Sequence, residues 1–145
     1  MLNQSEIFCS FSVNDLNEAR EFYGNKLGLN VSEFDDPGCG KMLKLKISNG
    51  GEVLIYPKED HQPATFTVLN FKVNNIEDEV RELKNKGITF EKYENTDSEG
   101  IDHSEGHLNA WFKDPAGNYI GVVKELQAEK GWDKTKSSES EQTLQ

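Results

Sequence analysis

The chain has 145 residues, 34% of them hydrophobic and 29% charged, and a formal net charge of −10 at pH 7. That length suits one compact domain or two small modules sharing a core, and so acidic a surface repels nucleic acid and anionic membranes, so neither is expected as a partner. Cys9 and Cys39 form neither a disulfide framework nor a CxxC metal pair, and with no export leader and no stretch near the ~18 apolar residues of a membrane span, a reduced cytoplasmic protein is expected.

In chain order, the first pattern is "FSVNDLNEAREFYGNKLGLNVSEF", from Phe11. Phe11 and Val13 make one face of a strand, and Leu16 and Tyr23 the apolar stripe of a helix. Asp15 and Glu18 put a side-chain acceptor and an acidic group at that helix's N-terminus, and Gly28 ends it with a positive φ. A strand follows, then "KMLKLKISNGGEVLIYP", whose period-two alternation around Asn49-Gly50 predicts a hairpin with a type I′ turn. "KEDHQPA" is a polar connector.

From Phe71, "FKVNNIEDEVRELKNKGITFEKY" repeats the first pattern. Phe71 and Val73 answer to Phe11 and Val13, Ile76 and Leu83 to Leu16 and Tyr23, Asn75 and Asp78 to the cap, and Gly87 to Gly28. A strand is expected near 89–93, then "ENTDSEGIDHSEGH" as a loop. The hairpin "WFKDPAGNYIGVV" follows, with Pro115 preset for its turn and Gly117 supplying positive φ. The expected fold is α+β, two tandem βαβββ modules (5–58 and 65–125) forming a curved mixed sheet around a cleft with helices on the outer face. Residues 126–145 read as a disordered tail, in which Trp132 alone is a candidate to dock.

These paired units, with "DLNEAREFYGNKLGL" and "WFKDPAGNYIG", resemble the vicinal oxygen chelate superfamily, which includes glyoxalase I, methylmalonyl-CoA epimerases, extradiol dioxygenases, fosfomycin-resistance enzymes and bleomycin-binding proteins. The resemblance covers about 5–125, and "PATFTVLNFKV" with "NAWFKDPAGN" is similar to a branch of small bacterial glyoxalase-like proteins. It implies the fold rather than one activity, because the scaffold is kept while the chemistry changes. In metal-dependent members, His or Glu ligands project from equivalent inward positions of the two modules. Carried over, those positions are Phe8 and Val68 in the first strands, and Ile55 and Gly121, four residues after Gly51 and Gly117, in the hairpins. None offers a carboxylate, imidazole or thiolate, so no metal and no cofactor are expected. Gly121 then stands at a former ligand position and leaves room.

Strand parity extends the cleft. Ser10 and Ser12 face inward with Phe8, and Asn70 and Lys72 with Val68; the hairpins add Met42, Lys44, Lys46, Val53 and Ile55, and Asn109, Trp111, Lys113, Tyr119, Gly121 and Val123. The candidate ligand contacts are Phe8, Ser10, Lys44, Lys46, Ile55, Val68, Asn70, Lys72, Trp111, Lys113, Tyr119 and Gly121. Four inward lysines over an apolar floor predict an anionic, partly aromatic small molecule. The same alternation also fits a sheet with one wet face, and Trp111 and Tyr119 fit ordinary core or interface aromatics. Cys9 is expected to be buried against the helix.

His103 and His107 lie four apart beside Asp102 and Glu105, and His61 sits beside Asp60, but Gly100 and Gly106 argue against the helix that would align the first pair. Their segment could instead be a lid. Two functions stand. One is a metal-independent small-molecule binding protein. The other is a glyoxalase- or epimerase-like lyase or isomerase moving protons through Tyr119, His103 or His107 without a Lewis acid. The resemblance implies a homodimer that assembles through its sheets or exchanges modules.

Overall fold

The computed structural model describes residues 1–48, 51–104 and 106–126. The expected turn at Asn49-Gly50, the tail from 127 onward and Trp132 lie outside the described residues. The first module runs β1 (Cys9–Val13), α1 (Leu16–Arg20), β2 (Asn30–Asp36), β3 (Gly40–Lys46) and β4 (Glu52–Pro57). The second runs β5 (Thr67–Lys72), α2 (Ile76–Asn85), β6 (His107–Lys113) and β7 (Tyr119–Glu125).

The strands form a four-stranded sheet in the order β1-β4-β3-β2 and a three-stranded sheet in the order β5-β7-β6. In each, the module's first strand pairs parallel with its last, and the last pairs antiparallel with the strand before it. The strand expected near 89–93 is reduced to a single bridge, Phe90 to Phe112, and the loop adds bridges from Asp102 to Thr96 and Asn109.

The helix boundaries follow from local chemistry. Asp15 accepts the Glu18 amide at 3.0 Å and Asn75 accepts the Asp78 amide at 3.0 Å, so each helix starts with one of its orphan donors satisfied. Gly28 at φ 72° and Gly87 at φ 94° follow the helices in the left-handed region that only glycine enters freely. Directly after α1, residues Glu21–Lys26 form a π-helical turn that buries Phe22 and Tyr23 side by side.

One core serves both modules. Phe11, Val13, Tyr23, Leu43, Leu45 and Ile55 of the first join Ile76, Val80, Phe90, Phe112, Ile120 and Val122 of the second. Rings cross the joint, with Phe22 6.1 Å from Phe112 between centroids. Each sheet therefore spends one face on the shared core and leaves the other free. Cys9 is exposed rather than buried: it shares a strand face with Phe11 and Val13 but stands at the uncovered first position of β1. Among the described residues, no helix is long and apolar enough to cross a membrane.

Candidate functional site

The free face of the second sheet is built in three rows, because register partners on adjacent strands point the same way. Thr67, Tyr119 and Lys113 form one row, Asn70, Gly121 and Trp111 the next, and Lys72, Val123 and Asn109 the third. Tyr93 comes in from beside β6 and meets Trp111 edge to face at 5.7 Å. Together Thr65, Phe66, Thr67, Tyr93, Trp111 and Tyr119 line a cleft of about 200 Å³. Phe66 is 68% exposed and Tyr93 46%, so this wall presents aromatic surface to solvent. Desolvation first, then the Glu91 charge and hydrogen bonds to Tyr119 and Glu91, raise the Tyr93 phenol above its ordinary range.

Sequence reasoning placed Trp111, Tyr119, Asn70, Lys72, Lys113 and Gly121 on this face and missed Thr67, Phe66 and Tyr93. Tyr93 carried a signal in "TFEKY": with Phe90 turned to the core, alternation sends Glu91 and Tyr93 to the other side.

Two candidates belong elsewhere. Ile55 is fully buried and pairs with Phe11 and Leu43, on the core face. The residue that shares a face with Ser10 and Lys44 is Leu54, and Val53 goes with Ile55. Val68 sits at a register irregularity between Thr67 and Leu69 and packs against the core, so Thr67 takes the cleft position expected of it. Ser10, Lys44 and Lys46 do share the free face of the first sheet, and Phe8 precedes β1 at 65% exposure.

The expected positive field is offset. Lys44 lies 3.5 Å from Glu52, Lys72 3.5 Å from Glu125 and Lys113 3.9 Å from Glu91. Lys44 also covers the Phe34 ring at 5.4 Å, and Lys113 the Tyr119 ring at 5.0 Å.

Gly121 leaves room for a neighbour, not for a void. A Cβ built there would lie 2.6 Å from Asn70 Oδ1 and 3.2 Å from Thr67 Cγ2. The cleft-face residues at the center, namely Ser10 and Leu54 in one sheet and Thr67, Asn70 and Gly121 in the other, supply no carboxylate, imidazole or thiolate, so they do not fit a divalent metal. Among the described residues, no three His, Cys, Asp or Glu side chains gather to hold one elsewhere.

The described part of the 94–107 segment is pinned. Ile101 is buried in the core, and Asp97 accepts the amides of Glu99 at 2.8 Å and Ile101 at 3.0 Å. His103 Nε2 donates to Asp97 Oδ2 at 2.7 Å, which ties it to its own loop. Desolvation raises the Asp97 carboxyl, but the His103 hydrogen bond and the two amides outweigh it and hold it down at about 2. His61 is a structural tie as well: its Nε2 donates to the Ala116 carbonyl at 3.0 Å, so its Nδ1 accepts the Ser12 hydroxyl at 2.7 Å.

Comparison with known proteins agrees with this architecture. Residues 8–122 match the family model of the Glyoxalase/Bleomycin resistance protein/Dioxygenase superfamily. No curated protein matches the chain. Among solved structures, a glyoxalase family protein from Enterococcus faecalis superposes with a TM-score of 0.64 at 23% identity, covering 85% of this chain and 99% of its own. TnmS3, an antibiotic binding protein from Streptomyces sp. CB03234, superposes at 0.65 with 20% identity, covering 84% and 98%. A superfamily member from Sphaerobacter thermophilus gives 0.63 at 23% identity, covering 83% and 98%. Since the family match runs from the approach to β1 into β7 and so takes in both modules, this chain belongs to the Glyoxalase/Bleomycin resistance protein/Dioxygenase superfamily.

Proposed function

We propose that this chain is a metal-independent small-molecule binding protein of the cytoplasm whose ligand is flat and partly aromatic, held against Trp111, Tyr119, Tyr93 and Phe66. The observation that carries this reading is the solvent-facing aromatic wall around a cleft of about 200 Å³. Such rings give large contact area at low entropic cost, with polar edges to orient a ligand. The absence of donor side chains at the fold's metal positions favours binding over metal-assisted chemistry, and the antibiotic binding protein of the same fold is a precedent for it. A ligand carboxylate would meet Lys113 or Lys72 at the ends of the wall, each beside a glutamate, so stacking leads and charge follows.

We further propose a homodimer in which the partner's first sheet, with Ser10, Lys44, Lys46 and Leu54, closes the cleft. Ile7 at 90% and Phe8 at 65% exposure, both just before β1, support a covered edge.

Titration with 2-naphthoate tests the reading, followed by tryptophan fluorescence in a Trp132→Phe background and, for variants of Trp111, by calorimetry. Saturable quenching is expected, with Trp111→Ala weakening affinity on the order of 10- to 100-fold. Equal affinity in Trp111→Ala would overturn it. Light scattering should give twice the chain mass, and a monomer across a wide concentration range would remove the dimer.

A further inference from the structure

Asn70, Gly121 and Trp111 stand in one row across β5, β7 and β6, on strands about 4.8 Å apart. The middle member has no side chain, and Asn70 Oδ1 reaches to within 2.6 Å of where one would begin. The Asn70 carboxamide therefore lies over β7, toward the indole, with the Thr67 methyl at 3.2 Å from the same point. Asn70 is exposed, and among the described residues its carboxamide makes no hydrogen bond. A polar group that a glycine admits in the row beside the aromatic cleft, next to Trp111, and that the fold leaves unused, is suited to a ligand.

We propose that the Asn70 carboxamide, laid over Gly121 beside Trp111, is the polar recognition group of the cleft and selects planar ligands that carry a hydrogen-bond donor and an acceptor side by side on one edge, as a lactam does. The inference rests on the aromatic-cleft reading above. A carboxamide offers one acceptor oxygen and an N–H donor in a single plane. A cyclic amide meets both with parallel bonds while its fused ring stacks on Trp111. Neither Lys72 nor Lys113 can do this, because an ammonium only donates.

Calorimetry with two probes tests it: 2-quinolinone, which has the lactam edge, and N-methyl-2-quinolinone, which keeps the carbonyl and loses the donor. The full chain is expected to bind 2-quinolinone about 5- to 10-fold more tightly, the worth of one hydrogen bond. Asn70→Ala should abolish the preference. Gly121→Ala should do the same with Asn70 intact, because the added methyl meets the rotatable end of the carboxamide and turns it away. Trp111→Ala should weaken both probes by a common factor. If the preference survives in Asn70→Ala while Trp111→Ala still weakens both probes, the recognition role fails and the aromatic cleft stands. If neither probe binds saturably to protein with a native circular dichroism spectrum, both fail.

Discussion

The Tyr23 hydroxyl donates to Asp114 Oδ2 at 2.7 Å inside the core, joining side chains 91 positions apart and in different modules. The same carboxylate accepts the amides of Ala116 and Asn118 and the Asn118 carboxamide, which also donates to the Ser12 carbonyl. Asp114 is 4% exposed, and a carboxylate so deep persists only because donors surround it. The turn of the second hairpin is thus the fastening of one module to the other.

Tyr23→Phe should lower stability by about 1.5–3 kcal/mol in urea denaturation, since it removes a hydrogen bond to a buried charged group. It should also change the response to base. Burial first, then the Asp114 charge and hydrogen bond, raise the Tyr23 phenol far above its ordinary range. Its contribution is complete below the unfolded value of about 10 and declines as pH rises beyond it, because only the unfolded chain then loses the proton. The wild-type protein should lose up to ~1.4 kcal/mol per pH unit there from this group, and Tyr23→Phe should show a shallower fall.

Ile55→Asp should prevent folding or cost several kcal/mol, about 3 or more, through an unpaired buried carboxylate, whereas Leu54→Asp, on the free face, should stay within about 1 kcal/mol of wild type when both are compared at a dilution that leaves monomers. Thermal unfolding of the pair checks the face assignment directly. Equal losses would reverse it.

Features fixed by neighbours in sequence were readable without coordinates. Asp15 and Asn75 cap helices because each needs only the amide three residues on, and Gly28 and Gly87 stop them because the left-handed turn is local. Ile55 was not readable, because its face depends on a turn register in "NGG", where counting from the second glycine instead of the first inverts every side chain of the strand. Val68 fell to a bulge that no residue type announced. The lysine field was overread because Glu91 and Glu125 come from other strands or segments, so their charges are paired in space and not in sequence. Nothing local to the second hairpin's turn marks Asp114 as buried; that depends on Tyr23, which packs against it from the other module.

Gly100→Ala should cost about 1–3 kcal/mol. Its φ is 93°, and a Cβ would meet Phe90 Cβ at 3.1 Å and the Glu91 carbonyl at 3.2 Å, neither of which can rotate aside. Chemical denaturation gives the magnitude. A neutral result would mean that the loop is not fixed to the core through this contact.

Strong acid should loosen the loop around Asp97. Asp97 is held at about 2 in the folded chain against roughly 3.9 when unfolded, so its contribution is present above the unfolded value and is lost as pH falls toward 2. Hydrogen-exchange protection factors of the Glu99 and Ile101 amides, which divide out the intrinsic slowing of exchange in acid, should fall across that window. In Asp97→Ala, the protection of these amides should be low at all pH values.

Elemental analysis after chelation, reloading with zinc, nickel or manganese and desalting should find well under one ion per chain. One tightly held equivalent, lost in His103→Ala with His107→Ala, would transfer the chemistry to the loop.

The two bonds of His61 bear on how copies of this chain can associate. The connector between modules is stapled at its middle to β1 through Ser12 and to the second hairpin's turn through Ala116. Trading modules between chains requires a connector that can swing open, and here the would-be hinge is bolted to both of the leaves it would have to part, over a core that opening would flood. Two copies that pair as proposed should therefore meet as finished units, which predicts that they dissociate on dilution without unfolding and remix with tagged copies on the timescale of ordinary binding rather than that of refolding.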